Sequence, residues 1–370
     1  MLTEEERAAF KPVPAAYTDL EDPFHMRMHM PLIAEALEKM RSHSPLGAKL
    51  YDWAKQRRIK FRYDESYALA SYSDDERMVR VNPKAAALNT MIYLVAHELM
   101  HGVQFENSAG DFNPRWDIRS LIKRSMFLEA GAVAAQMRVA YEMKLNGYDG
   151  VWNALLDPSE IKDEKLRSRA QSYVSVAAAF EEAYQKSKTE GLTDKEMLGA
   201  AAAAAYQARL QNQDLRDRYN TTMISRYFNN IAYADTVMEV MREDKVVPST
   251  QIAKDEFVAN AQDITAPQGD EDIFGNNVLL RHAADYLDAY RDVFSKGGEY
   301  SDAKINAIRT KLDEDGNMFA GMDYVVLLWR TQKNTDGKPV FELMKDIAGV
   351  SGDNAAHRGR EPPRRSPQNS

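Results

Sequence analysis

The stretch that decides the fold and the chemistry of this chain is Leu94-Val95-Ala96-His97-Glu98-Leu99-Met100-His101-Gly102-Val103. Residues four apart lie on the same face of a helix, so His97 and His101 can turn both imidazoles toward one point. Glu98 follows His97 at about 100° round the helix. Apart from these three residues the stretch carries no charged side chain. The pattern therefore predicts a buried helix with one polar site.

Two neutral imidazoles and one carboxylate suit a catalytic zinc ion, at roughly 2.0–2.2 Å, with the fourth position left to water. Water activated in this way needs a base, and Glu98 is close enough to accept its proton. The chain has only 7 histidines in 370 residues, so their spacing favours a metal site. The alternative is a core helix with two hydrogen-bonded histidines. That alternative needs a partner for Glu98, because an unpaired buried carboxylate is costly.

The third ligand is expected to be a carboxylate, because the next histidine along the chain is His282. Glu129 is the best candidate, since the small residues at 130–132 allow a neighbouring helix to approach closely. Two other acidic residues compete with it. Asp117 is explained as well by capping the start of the helix. Glu142 lies roughly 220° round the helix from Glu129 and is predicted to face solvent.

The motif and the later Glu129 resemble a gluzincin, a clan in which two motif histidines and a Glu from the next helix bind zinc. The nearer resemblance is to an uncharacterised bacterial group of metallopeptidases with His-Glu-x-x-His-x-x-Gln and a later Glu-Ala-x-Ala. Gln104 and Glu129-Ala130-Gly131-Ala132 match that pattern. The ImmA/IrrE-type peptidases rank second, because their usual Leu-Leu-Met-Pro ending is missing. The resemblance covers roughly residues 59–145.

What the resemblance implies is a Zn²⁺-dependent peptidase with His97, His101 and Glu129 as zinc ligands and Glu98 as the general base. Two other readings stay open. One is a non-catalytic binding protein with a structural or lost metal site, and the other is a secreted effector with the same peptidase chemistry. Clan members often stabilise the oxyanion with a distant His or Tyr, and Tyr206, Tyr227 and His282 are the candidates considered for this role.

Composition limits the partners. The net charge of −8 does not favour nucleic acid or an anionic membrane, and no apolar run approaches the ~18 residues of a membrane span. The expected partner is a protein or peptide substrate, and the oligomeric state is left open. The chain has no cysteine, and its acidic N-terminal residues do not form a secretory signal. A cytoplasmic location is predicted, with secretion without a cleavable signal peptide as the alternative.

The predicted fold class is α+β and mainly helical. A small sheet, read as a meander within residues 59–81, precedes the motif helix, and the second half is helical. The predicted domains are a flexible arm at 1–23, a zincin-like catalytic domain at 24–156, a helical domain at 157–350 and a disordered tail at 351–370. Helix starts are predicted at Ser44-Pro45 and at the capping box Thr193-Asp-Lys-Glu196.

Overall fold

The computed structural model describes residues 18–20, 23–66, 69–85, 87–106, 117–233 and 267–295. The tail predicted at 351–370 lies outside these residues. Within them the protein is mainly helical with one small sheet, which confirms the predicted fold class.

The helices and strands follow one another along the chain with two 3₁₀ turns, at Pro83–Ala85 and Pro158–Glu160. The elements are β1 (Thr18–Asp19), α1 (Pro23–His29), α2 (Pro31–His43), α3 (Pro45–Gln56), β2 (Lys60–Tyr63), β3 (Ala70–Ser73), β4 (Met78–Val81), α4 (Leu88–Gln104), α5 (Ile118–Leu145), α6 (Gly150–Leu156), α7 (Glu164–Gln171), α8 (Val174–Thr189), α9 (Asp194–Gln211), α10 (Gln213–Tyr233), α11 (Asp270–Phe274) and α12 (Val278–Ser295).

The sheet is mixed, with the strand order β1-β2-β4-β3. The predicted meander was therefore wrong, because β2 pairs in parallel with β4, while β3 pairs antiparallel with β4 at the outer edge. Burial explains the order. Every residue of β4 is buried, as a central strand requires, whereas the residues of β3 are all half-exposed. The half-exposed strand β3 therefore lies at the edge of the sheet, and the buried strand β4 lies inside it.

Part of the predicted N-terminal arm belongs to the sheet. Thr18 and Asp19 form β1, which pairs antiparallel with Phe61 and Lys60 of β2. The next residue, Leu20, is buried in the core. These residues of the lead-in are thus held by backbone pairing and by apolar burial.

The motif helix α4 lies inside the protein, as its apolar sequence predicted, and packs against α2, α5 and the sheet. Gly102 allows one of these contacts. A Cβ on Gly102 would lie 2.3 Å from the ring of Trp53 and 3.1 Å from the ring of Tyr72. Only glycine lets α3 and β3 come this close to the helix.

The predicted caps are confirmed. The hydroxyl of Ser44 accepts a hydrogen bond from the backbone N–H of Gly47 at 2.8 Å and starts α3. Asp117 accepts one from the N–H of Ser120 at 2.8 Å and caps α5. The capping box of Thr193 and Glu196 is present at the start of α9. Such caps each stabilise a helix by about 1 kcal/mol.

A stripe of apolar residues spaced three or four apart in the second half is buried, and it is divided between two helices. Its members come from α7, α8 and the short break between them: Leu166, Ala170, Tyr173, Ala177, Phe180 and Tyr184. The small residues of α9 pack against α8 and α5. Helices on both sides of residue 156 thus share one hydrophobic core. The division into two domains at that residue stays a prediction.

Arg119 near the start of α5 ties the last described helices to the body. Its guanidinium donates to Asp270 of α11 at 2.9 Å and to Asp288 of α12 at 2.6 Å, and it also pairs with Asp285. Burial raises the pKa of Asp288 to about 6, against the opposing effect of Arg119. In the described part of the chain, no helix is both long and apolar enough to cross a membrane.

Glu142 does not face solvent, so that prediction was wrong. Its carboxylate is buried and accepts hydrogen bonds from the Ser44 hydroxyl at 2.6 Å and from the Leu46 backbone N–H at 2.8 Å. Arg138 donates to it at 2.8 Å. The corner between α2 and α3 packs on this side of α5, which the sequence spacing along α5 does not reveal.

We expect Glu142→Ala to lower the free energy of unfolding by about 2–4 kcal/mol, because it leaves buried donors without an acceptor and Arg138 without its counter-charge. Denaturant unfolding followed by circular dichroism measures this loss. The exposed Glu182→Ala is the matched control and should stay within about 0.5 kcal/mol of the parent. A loss below about 1 kcal/mol for Glu142→Ala would contradict this structural role.

Candidate metal centre

The structure brings together the three residues predicted as ligands. His97 and His101 come from α4 and Glu129 from α5. The two Nε2 atoms lie 3.1 Å apart, and the carboxylate oxygens of Glu129 lie 3.4 Å from His97 Nε2 and 3.5 Å from His101 Nε2. Three ligands bound tetrahedrally at about 2.1 Å would be separated by roughly 3.4 Å. These three residues could therefore hold one metal ion with little movement.

The tautomers of both histidines are set by glutamine side chains. His97 Nδ1 lies 3.0 Å from Oε1 of Gln136, and His101 Nδ1 lies 2.9 Å from Oε1 of Gln104. An amide oxygen only accepts, so each Nδ1 carries a proton, and in the neutral form of each ring Nε2 keeps its lone pair. Two such lone pairs 3.1 Å apart repel each other, and either a proton on one ring or a metal ion between the rings removes the repulsion.

The electrostatics of the three residues also call for a cation. Burial alone would lower the pKa of His101, but the Glu129 carboxylate outweighs burial and raises this pKa to about 9. Burial alone would raise the pKa of Glu129, but the two imidazoles hold it well below its usual range. Oε2 of Glu129 is buried and has no well-aligned hydrogen-bond donor within the described residues. A metal ion would supply the missing partner of this oxygen.

Gly131 lets Gln104 reach its position between the helices. The Nε2 of Gln104 donates to the backbone carbonyl of Leu128 at 2.9 Å while its Oε1 faces His101. A Cβ at Gly131 would lie 2.7 Å from that Nε2. Gly131 of α5 thus leaves the space in which the Gln104 side chain of α4 orients His101.

Glu98 lines the cleft beside the three residues but is not part of the ligand cluster. Burial raises the pKa of its carboxyl, and the nearby Glu129 adds to this effect, while the two imidazoles and the backbone of Tyr72 oppose it. A raised pKa of the carboxyl group lies closer to neutral pH, which favours its action as a general base. The position and environment of Glu98 therefore fit proton transfer rather than metal binding.

The site opens into a cleft of about 510 Å³. Its walls come from three regions: the edge strand β3, the first half of α5 and the middle of α10. The β3 residues at 70–73 lie along one wall, next to Glu98 and His101. Within the described sheet β3 pairs only with β4, so its other edge has no strand partner there. Apart from the Tyr72 backbone, which hydrogen-bonds Glu98, this edge is open to an extended peptide.

None of the three residues considered for oxyanion stabilisation lines this cleft. Tyr206 and Tyr227 are buried in the core, and His282 lies on α12. The structure instead brings Tyr219 of α10 into the cleft wall. Nothing in the sequence distinguishes Tyr219 from the 17 other tyrosines, because its approach depends on how α10 crosses α5.

The phenol of Tyr219 is held from both sides. The guanidinium of the fully buried Arg209 lies 4.6 Å from the centre of its ring, and its hydroxyl lies 3.5 Å from that of Tyr173. Burial and the charge of Glu129 raise the pKa of Tyr219 well above its usual value. The phenol therefore keeps its proton and remains a hydrogen-bond donor at neutral pH.

A family model described as "Putative metallopeptidase family (DUF6782)" matches residues 7–260, and the chain belongs to this family. That match includes every residue of the site described above. No curated protein and no solved structure matches the chain significantly.

Replacing Gln104 or Gln136 by Leu should weaken metal binding by about 10–100-fold, because each imidazole loses the group that fixes its tautomer. Competition with a chelator of known affinity measures the metal dissociation constant. Gln171→Leu, at an exposed position on α7, is the control and should leave the constant unchanged.

Gly131→Ala should weaken metal binding in the same way, through displacement of Gln104. In a Gln104→Leu background the Gly131 substitution should add little, since the side chain it displaces is already gone. Fully additive effects would show that Gly131 acts independently of Gln104.

Proposed function

We propose that this member of the metallopeptidase family is a zinc-dependent peptidase of gluzincin type, in which His97, His101 and Glu129 bind the zinc ion. The observation that carries the proposal is the spacing of the three donor groups, at 3.1–3.5 Å, which matches the edges of a tetrahedral site. The two glutamines that leave both Nε2 lone pairs free support it further.

Zinc bound at such a site would acidify a water molecule and polarise the scissile carbonyl. Glu98 is the group that takes the proton from the attacking water, and it later delivers this proton to the amine that leaves. Its buried carboxylate has a raised pKa, which suits both acceptance and return of a proton. The substrate backbone is held along the outer edge of β3, which lines the cleft together with Glu98 and His101.

Tyr219 is the residue that we assign to the oxyanion. It lines the same cleft as Glu98 and Glu129, and its hydroxyl keeps its proton, whose hydrogen bond an oxyanion could accept in place of Tyr173. Its ring is fixed by Arg209 and its hydroxyl by Tyr173, which reduces the reorganisation needed when charge develops.

The alternative of a structural metal in a binding protein is disfavoured by one observation. Structural zinc sites are closed by four protein ligands, whereas catalytic sites keep an open position. Here three candidate ligands face a cleft of about 510 Å³. The cytoplasmic location and the option of export stay predictions from the sequence.

The test of the function separates metal binding from catalysis. Glu129→Ala should lose zinc, because only two ligands remain, whereas Glu98→Gln should keep about one zinc per chain and lose hydrolysis. Metal analysis after reconstitution and cleavage of a mixed peptide library, read by mass spectrometry, measure the two properties.

Glu142→Ala is the control for Glu129, since it removes a buried carboxylate from the same helix outside the site. It should retain zinc when folded. Negligible zinc in the reconstituted parent chain, or full hydrolysis by Glu98→Gln, would refute the proposed function.

Tyr219→Phe should lower kcat by about 10²–10³-fold with a much smaller change in KM, because a hydrogen bond to the oxyanion forms in the transition state. Zinc content should be unchanged. Tyr206→Phe, which removes a buried hydroxyl outside the cleft, is the matched control and should keep kcat within a few-fold. Equal kcat for Tyr219→Phe and the parent would remove Tyr219 from the mechanism.

A further inference from the structure

A second, smaller cavity adjoins the candidate metal centre. It has a volume of about 90 Å³ and shares four lining residues with the main cleft: Ala70, His97, Glu98 and Tyr219. The space has room for at least one water molecule, and therefore for a small polar group such as a carboxylate.

Two arginines line this cavity from separate helices. Arg169 comes from α7 and Arg218 from α10, and both are half-buried. Neither forms a salt bridge with a carboxylate of the described residues. Among the described lining residues, Glu98 is the only acidic one, and it belongs to the catalytic group.

The two guanidinium groups are close enough to disfavour each other. Burial lowers the pKa of Arg169, and the charge of Arg218 lowers it further. Two like charges without a carboxylate between them weaken the fold. An anion between the two guanidinium groups removes their repulsion. A carboxylate suits this position, because a guanidinium group can donate two parallel hydrogen bonds to it.

The sign of the charge here is opposite to that of the whole chain. The net charge is −8, yet this cavity is lined by two arginines that have no salt bridge within the described residues, next to Glu98. The hydroxyls of Tyr173 and Tyr219 lie in the same lining and add two possible donors. The two arginines and the two tyrosines of this lining are therefore suited to an anion.

We propose that Arg169 and Arg218 form a subsite for a carboxylate of the substrate, which makes this chain selective for peptides with a negative charge close to the scissile bond. This inference rests on the proposed peptidase function and names its substrate class. The carboxylate comes either from an acidic side chain or from the C-terminus of the peptide.

Peptide binding tests this without hydrolysis. The full-length Glu98→Gln protein, loaded with zinc, is titrated with fluorescently labelled Ala-rich hexapeptides that carry one Glu, Gln or Lys at each position in turn and an amidated C-terminus. A parallel all-Ala pair differs only in a free or amidated C-terminus. We expect at least tenfold tighter binding of one carboxylate-bearing peptide over its neutral counterpart in fluorescence anisotropy.

The two peptide sets distinguish the sources of the carboxylate. Preference for Glu over Gln at one position identifies an acidic side chain, and preference for the free C-terminus identifies the terminal carboxylate. Arg169→Gln and Arg218→Gln should each reduce the preference to below about threefold. Lys165→Gln, which removes an exposed positive charge from the same helix as Arg169, should retain it. Absence of any carboxylate preference, or a preference that survives both arginine substitutions, would overturn the proposal.

Thermal melting separates recognition from a structural role. Replacing one member of a like-charged pair relieves repulsion, so neither arginine substitution should lower Tm. A fall of more than about 4 °C with unchanged peptide preference would show that the arginines are structural. Repeating the titration without zinc keeps this test independent of the proposed function. Loss of zinc or hydrolysis alone refutes the peptidase, and loss of the carboxylate preference alone refutes the subsite.

Discussion

The close packing of α4 on α5 is the contact on which the rest of the site depends. The motif supplies two imidazoles, and the third group can reach them only if the next helix approaches at short range. Gly131 provides that approach, because it leaves room for Gln104 to bond both His101 and the carbonyl of Leu128. One glycine thus determines the separation of the helices and the orientation of a histidine together.

Around this contact the protein buries charges that are unfavourable unless a cation joins them. The pKa of His101 is raised and that of Glu129 is lowered, so without metal a proton takes the place between the imidazole and the carboxylate. Buried charge of this kind stabilises a fold poorly. Its arrangement at one point, open to a cleft, is typical of a functional site rather than of a core ion pair. Membership of a metallopeptidase family agrees with this.

Local patterns in the sequence predicted much of this structure, and tertiary contacts account for what they missed. The spacing of His97 and His101 fixes a shared helix face, and the caps at Ser44 and Thr193 act within a few residues, so both are visible in the sequence. Glu142 was misjudged because its partner Ser44 is 98 residues away. The order of the strands depends on burial of β4 from both faces, and Tyr219 reaches the cleft through a helix crossing. Neither has a periodic signal in the sequence.

The length of α5 has a consequence for the motions of the protein. Helices fray from their ends, and Glu129 lies about three turns from the first residue of α5 and more than four turns from the last. α5 packs against α4, α9 and α10, so exchange of its central amides with solvent deuterium requires opening of a large cooperative unit. The segment that carries Glu129 should therefore belong to the slowest-exchanging part of the described chain, and local opening at the helix ends leaves the geometry of the site intact.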